Sequence, residues 1–339
     1  MQKISLILIV CVICTLFSGC YDNEEIDTLA TVMAVGIEKQ DKQKLYTFYI
    51  SDAGSFSSES TGDGAKAKCF VQKADDVETA TQQLNKKISK KLDFSHLSSI
   101  IFSEEVSKTG MNSDIVFFEK YASVRPQTLL AISSVSPTQY LEKLNPSLEV
   151  NPEKYFQKVF TDTEKYVTNL RLCDFTNAYY TNTTCLAPVI SADIGRDKIE
   201  ETDSNISQSA VIWKGKNVAT LDNNWFLGLM LSDKSVDYNG AEIERTKKPK
   251  FDFKLSKSNL KVSINLKVKT DDGFDKKSAE KDAENFLTES ARNMLDAVNV
   301  RKAVKSLFLL QKKYEEYNFD ELIKNAKFNV KFSVVSERS

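Results

Sequence analysis

Histidine is nearly missing from this chain: His96 is the one imidazole in 339 residues. Acid–base relays and metal sites built on several imidazoles are thereby excluded. There is no excess of either charge, with 46 basic and 47 acidic residues and a net charge of -1. A dedicated nucleic-acid binder needs a basic surplus, so that class is set aside. No nucleotide loop is present. Gly62 and Gly64 lie in a small, polar loop over 51–65, but no Lys-Ser/Thr follows and no helix starts there. Nucleophile-elbow and zinc-helix motifs are also missing. The acid pairs Glu24/Glu25, Glu104/Glu105 and Glu315/Glu316 are sequence neighbours. Adjacent side chains on a strand or helix point in different directions, so none of these makes a catalytic carboxylate pair on its own. The expectation is a non-enzyme with no cofactor, no metal and no nucleic-acid partner.

Cysteine is sparse after the first twenty residues. Cys11, Cys14 and Cys20 fall in the leader region, and Cys69, Cys173 and Cys185 remain. Three is an odd remainder, and no paired C-x-x-C spacing signals zinc. Free thiols are the preferred reading, with one bridge between Cys173 and Cys185 as the alternative. His96 stands at a strand entrance without partner spacing for a ligand or a base and reads as a hydrogen-bonded structural residue.

Long apolar runs are confined to the start. Lys3 is followed by an apolar segment from Ile4 to Phe17. That length suits a secretory signal and is short for a membrane helix. Small residues Ser18 and Gly19 then precede Cys20. Leu16-Phe17-Ser18-Gly19-Cys20 resembles the bacterial lipobox, in which the cysteine sulfur is acylated before cleavage. A plain signal peptide or an uncleaved anchor is the alternative. Each buried acyl methylene contributes about 0.8 kcal/mol, so two or more chains hold firmly. Residues 1–19 are expected to be a cleaved signal peptide and Cys20 the lipid attachment site.

The composition is otherwise that of an ordinary globular chain, with 41% apolar and 27% charged residues. Leu29–Glu38 reads as a buried strand and Leu45–Ile50 as its hairpin partner across Asp41–Lys44. Lys66–Lys73 is a further strand. Asp75–Leu92 reads as a helix, capped by Asp75 with Glu78 at the capping-box position, its apolar face Val77, Ala80, Leu84 and Ile88. Lys86, Lys87, Lys90 and Lys91 would sit at its C-terminal end, as a solvated end or as a lipid contact. Ser98–Phe102 and Gln127–Val135 are expected strands, with a helix over Ser113–Tyr121 between them. Ser136-Pro137-Thr138-Gln139 is a capping box opening a helix to Leu144. Asn151-Pro152 opens another, Leu170–Tyr180 is helical, and Ala187–Asp193 returns as a strand. Asp197–Asn205 reads as a linker.

Beyond it, Gln208–Lys214 and Asn217–Leu221 form a hairpin. Asp222 caps a short helix from Trp225 to Leu231, whose Trp225 and Phe226 pack on that hairpin or anchor a partner. Lys250–Leu255 and Leu260–Val268 are strands, and Asp271-Asp272-Gly273 is a turn too poor in acids for a calcium loop. Residues 277–316 are mainly helical, with a stripe of Ala283, Leu287, Ala291, Met294 and Val298. Val304, Leu307 and Phe308 continue it. A short helix over Phe319–Asn325 and a strand over Ala326–Val335 close the chain. The whole predicts an α+β, multi-domain fold of mixed sheets flanked by helices. Its expected divisions are 21–196 and 206–339, the latter divisible near 245 into a middle hairpin and a strand–strand–helix–strand layer.

Cys20-Tyr21-Asp22-Asn23-Glu24-Glu25-Ile26, with Val35-Gly36-Ile37-Glu38 downstream, resembles the start of the Ger(x)C family of spore germination lipoproteins. Phe94-Ser95-His96-Leu97, with Ile100-Ile101-Phe102-Ser103-Glu104-Glu105, resembles that family's Ser-His segment and the strand after it. Ala210-Val211-Ile212-Trp213-Lys214, then Leu227-Gly228-Leu229, resembles its hairpin and the turn beyond it. Tyr21 replaces the usual Trp. The family's Asp- and Gly-rich segment near the end is represented by Asn318-Phe319-Asp320-Glu321. The resemblance implies a non-catalytic subunit of a nutrient germinant receptor, in a three-domain fold. It implies partnership with an integral-membrane transporter-like subunit and a second membrane subunit. It also implies a place on the outer face of the spore inner membrane, held in the bilayer through lipidated Cys20. A lipoprotein delivering a small solute to a transporter is the alternative, and a structural envelope lipoprotein is a third.

Overall fold

A computed structural model describes residues 28–51, 67–121, 123–144, 156, 159, 169–199, 203–231, 235–256, 259–271, 273–296 and 325–335. The leader, Cys20 and the segment to Ile26 lie outside them, as do residues 52–65 of the polar loop. So do the helix start at Asn151-Pro152, the helix beyond residue 296 and residues 319–324.

The first sheet is built on β1 (Leu29–Gln40), a run so apolar that it must be covered on both faces. It turns at Asp41, which has positive φ, into antiparallel β2 (Gln43–Ser51), and β3 (Ala67–Ala74) pairs antiparallel with β2. On its other side β1 pairs in parallel with β4 (Lys91–Asp93) and β5 (Ser99–Ser103). Beyond β5 come β6 (Leu129–Ser133) and β8 (Thr184–Ala192), each parallel to its neighbour; the short β7 (Leu170–Arg171) pairs with β6. Antiparallel β9 (Ser204–Trp213) and β10 (Lys216–Asp222) complete ten strands.

Helices cover both faces. These are α1 (Val77–Asn85), α2 (Glu104–Thr109), α3 (Asn112–Lys120), α4 (Pro137–Lys143) and α5 (Leu172–Tyr180). One core joins Val35, Ile37, Phe48, Ile100, Phe102 and Ile132 to α1, α3 and α5. The opposite core joins Met33, Ala34, Tyr49, Ile101 and Ala131 to α4 and to Phe156 and Val159. The extra residue is accommodated between Val32 and Ala34, where the β1–β2 register shifts. A bulge of this kind re-aims successive side chains, which is why Met33 and Ala34 share one face.

The second sheet contains β11 (Val236–Tyr238), β12 (Ala241–Arg245), β13 (Lys250–Ser256), β14 (Asn259–Thr270) and β15 (Lys327–Val334). β12 and β13 pair antiparallel to successive parts of β14, while β15 is parallel to it. Helices α6 (Trp225–Leu231) and α7 (Lys276–Asp296) cover one face around Leu229, Ile243, Ile264, Leu266, Ala283 and Phe332. At the edge, Glu284 accepts from the backbone N–H of Val330 at 3.0 Å and Glu280 from that of Phe332 at 2.9 Å. Two carboxylates one helical turn apart thus satisfy strand donors that, among the described residues, no further strand covers. Mixed sheets flanked by helices are the α+β class read from the sequence.

Several local expectations are corrected. The helix expected over 75–92 ends at Asn85, whose side chain accepts from the N–H of Leu92 at 2.9 Å while residues 91–93 pair with β1. Its cap is Asp76, bonded to the N–H of Thr79; Asp75 instead accepts from Gln43. Lys86 is the C-terminal cap of the helix and Lys87 follows it, bonded to Gln72, whereas Lys90 and Lys91 lead into β4, so the four lysines do not all sit at one helix end. Helix α6 is capped by Asn224, whose side chain accepts from the N–H of Leu227 at 2.8 Å, while Asp222 accepts from Gln208. Trp225 and Phe226 join the second core; Trp225 lies 4.5 Å from the Tyr238 ring. The hairpin assigned to the C-terminal unit extends the first sheet instead, because β9 bonds to β8 along nearly its whole length. Ile199, in the expected linker, is buried and bonds to the carbonyl of Lys143 at 2.8 Å. Cys69, Cys173 and Cys185 are free thiols.

Candidate functional site

The segments that carry the family resemblance meet on the first sheet. Gly36 lies where α4 crosses β1. A Cβ there would stand 2.9 Å from Leu141 and 3.1 Å from Pro137, so the close approach needs glycine. Two residues on, Glu38 accepts a 2.6 Å hydrogen bond from the Ser136 hydroxyl, which also receives the N–H of Gln139 at the helix start. The capping box thus does two jobs: it starts α4 and fastens that start to the end of β1. Beneath the helix, Thr47 and Thr138 share a buried hydrogen bond of 2.6 Å. Val35 and Ile37 pair with Ile100 and Phe102, which places the second motif beside the first.

Phe94 explains the Ser-His segment. It is fully buried and meets Phe48, Phe117, Phe118 and Tyr121 edge-on, with centroids 5.1–6.4 Å apart. Ser95 folds back on the Asp93 carboxylate through both its N–H and its hydroxyl. His96 is half-buried in the turn closed by the Leu97 N–H on the Phe94 carbonyl. The segment's clearest product is an aromatic anchor for α3.

A polar centre holds α3 from the other side. Asp114 is fully buried, accepts from the Tyr46 hydroxyl at 2.8 Å and pairs with the Lys44 ammonium at 2.5 Å. Lys44 also reaches Ser113 at 3.2 Å. Burial, reinforced by the Asp114 charge, pushes the Tyr46 phenol well above its ordinary range. The phenol therefore stays a donor and cannot act as a base near neutrality. Chemically this is a lock between β2 and α3. Sequence reading missed it because the partners are about seventy residues apart. The available signal was an acid at core spacing: Asp114 shares a buried helix face with Ile115 and Phe118.

The N-terminal end of α3 receives the β9–β10 hairpin. Lys214 and Gly215 both have positive φ, 47° and 71°, which suits a tight two-residue turn. The Gly215 carbonyl accepts from the N–H of Met111 at 2.9 Å, and the Asn112 side chain donates to the Lys214 carbonyl. A Cβ on Gly215 would fall 1.5 Å from the Asn112 oxygen. Lys214 folds over the Trp213 ring at 4.8 Å.

Cys20, the one assigned site residue, lies outside the described residues. Among the described residues no group of three or more His, Cys, Asp or Glu could hold a metal, and no helix is long and apolar enough to cross a membrane. Burial pushes the thiols of Cys69 and Cys185 up to about 12, with Glu142 and Asp174 adding to the rise. Such thiols are poor nucleophiles at neutral pH. The arrangement docks elements on one another.

The family model for the spore germination protein N-terminal domain matches residues 22–192. The chain belongs to this family. The match to this germination-protein family ends at Ala192, the last residue of β8, and includes Gly36, Glu38, Phe94, Asp114 and Ser136. Spore germination protein KC of Bacillus subtilis (strain 168) is 20% identical over 229 residues, covering 63% of this chain and 56% of that protein. The putative spore germination protein YfkR of the same organism is 27% identical over 104 residues, covering 29% of this chain and 27% of its own length. The chain thus spans about half of the first relative and about a quarter of the second. A crystal structure of the GerBC protein aligns over 89% of this chain and 97% of that one, with 15% identity and a TM-score of 0.42.

Proposed function

We propose that this germination-family protein is the lipid-anchored, non-catalytic subunit of a nutrient germinant receptor, held on the outer face of the spore inner membrane. One juxtaposition carries the reading: the family match starts at residue 22, two residues after the cysteine of Leu16-Phe17-Ser18-Gly19-Cys20. A tether through acylated Cys20 would keep every later element at the bilayer without a spanning helix. The partners are an integral-membrane transporter-like subunit and a second membrane subunit. The sheet-bearing units are divided by sheet membership: residues through Asp222 in one, residues from Trp225 in the other.

Affinity recovery of the tagged chain from detergent-solubilised spore inner membranes tests the partnership. Co-recovery of a multi-span protein is expected; recovery of the chain alone would overturn it. The solute-delivery alternative predicts saturable binding of an amino acid or sugar by the chain without membrane subunits. Calorimetry on the mature chain is expected to show none.

A further inference from the structure

The face of the second sheet opposite α6 and α7 carries an exposed array of like charge. The register sets Lys254 directly opposite Lys261, and Lys261 opposite Lys327, in one row across β13, β14 and β15. Two residues along each of β13, β14 and β15 lie Asp252, Ser263 and Asn329; beyond them Lys250 faces Asn265 and Asn265 faces Lys331. Lys267, opposite Ser333, extends the array. These six lysines are exposed, and among the described residues none of them forms an ion pair with a carboxylate. Asp252 is the one acid within the array. The other acids on this face, Asp237, Glu242 and Glu244, lie at the far end on β11 and β12. Like charges directly opposite in a sheet destabilise it, so three lysines in one row oppose folding. The chain as a whole has a net charge of -1, and composition does not produce the cluster.

We propose that this face rests on the anionic headgroups of the membrane to which the chain is tethered. The inference builds on the lipid-anchored reading above for its location. An open sheet face offers no concavity to enclose a small molecule. A planar array of phosphates meets the whole face at once, and each ammonium there gains from the negative surface potential. Contact would relieve the repulsion along the Lys254–Lys261–Lys327 row and fix how the second sheet is presented to the bilayer.

The test uses the mature chain carrying Cys20→Ala, so that no acyl chain contributes, sedimented with vesicles. Vesicles rich in phosphatidylglycerol are compared with pure phosphatidylcholine at low and high salt. Wild-type lysines are expected to give binding to the anionic vesicles only, lost at high salt. K254Q/K261Q/K327Q removes repulsion and should fold at least as stably, yet its vesicle partitioning is expected to fall about a hundredfold. The same charge change at Lys86, Lys120 and Lys198, exposed elsewhere, should have far less effect. No binding to phosphatidylglycerol, or equal binding by the glutamine variant, would overturn the proposal. Binding to poly-glutamate without binding to vesicles would overturn it in favour of an acidic protein partner. The readout does not depend on acylation of Cys20, so its failure is separable from failure of the tether.

Discussion

Replacing Asp114 by Ala should be among the most damaging single changes in the first sheet. The carboxylate is fully buried and takes the Tyr46 hydroxyl at 2.8 Å. Removing it forfeits a charge-assisted hydrogen bond and strands a fully buried phenol, together about 2–4 kcal/mol. Lys44 limits the loss, because its side chain is 21% exposed and its ammonium can turn to water. Tyr46→Phe should cost less, about 1–2 kcal/mol, since Asp114 keeps its lysine. The coupling between the two changes should reach about 1–2 kcal/mol in a double-mutant cycle. Urea unfolding followed by tryptophan fluorescence reads this directly. The chain has two tryptophans, Trp213 in the first sheet and Trp225 in the second core, so Trp225→Phe leaves a reporter of the first sheet alone. An Asp114→Ala loss below about 0.5 kcal/mol, the range of an ordinary surface change, would refute the lock.

Gly215→Ala should destabilise by about 1–3 kcal/mol, from positive-φ strain and displacement of the Asn112 side chain, and accelerate hydrogen exchange at Met111, whose N–H bonds there; unchanged exchange would contradict hairpin docking. Glu280→Ala with Glu284→Ala should bare the N–H groups of Val330 and Phe332, costing about 2–4 kcal/mol and raising aggregation by light scattering; a monodisperse variant of wild-type stability would show the edge is protected otherwise. Cys69 and Cys185 have folded pKa values raised from 9.0 to about 12. Above 9 the unfolded thiols release protons that the folded ones keep, so their contribution is full below pH 9 and declines as pH rises toward 12. Replacing both by Ala should flatten that alkaline limb of the urea midpoint against pH; an unchanged limb would contradict the assignment.

Local chemistry was the legible part of this fold. Ser136 and Pro137 announce α4, and the apolar run of β1 announces a doubly covered strand, because each signal lies within a few residues. The Asn239-Gly240 pair between alternating Val236, Tyr238, Ala241 and Ile243 marks the β11–β12 hairpin, a standard turn signal that the sequence reading passed over. Helix α2 likewise had a signal, with Ser103 bonded to the Val106 N–H and two acids in the first turn. The overrun of α1 has a different origin. Ile88 keeps helical spacing, but strand pairing of Lys91–Asp93 with β1 competes successfully, and that contact spans about sixty residues. The Asp114 lock and the Gly215 docking are nonlocal in the same way. Sheet membership of the hairpin was hidden for this reason too: nothing within 204–222 names β8 as its neighbour.

We propose that a tethered member of the germination family serves a nutrient receptor. The most direct measurement is nutrient-triggered germination of spores lacking this chain, in a strain without a paralogue, complemented by the wild-type chain or by Cys20→Ala. Germination with at least one nutrient should be lost while vegetative growth stays normal, and the wild-type chain should restore it far better than Cys20→Ala does. Normal germination with every nutrient in the deletion strain would contradict the account.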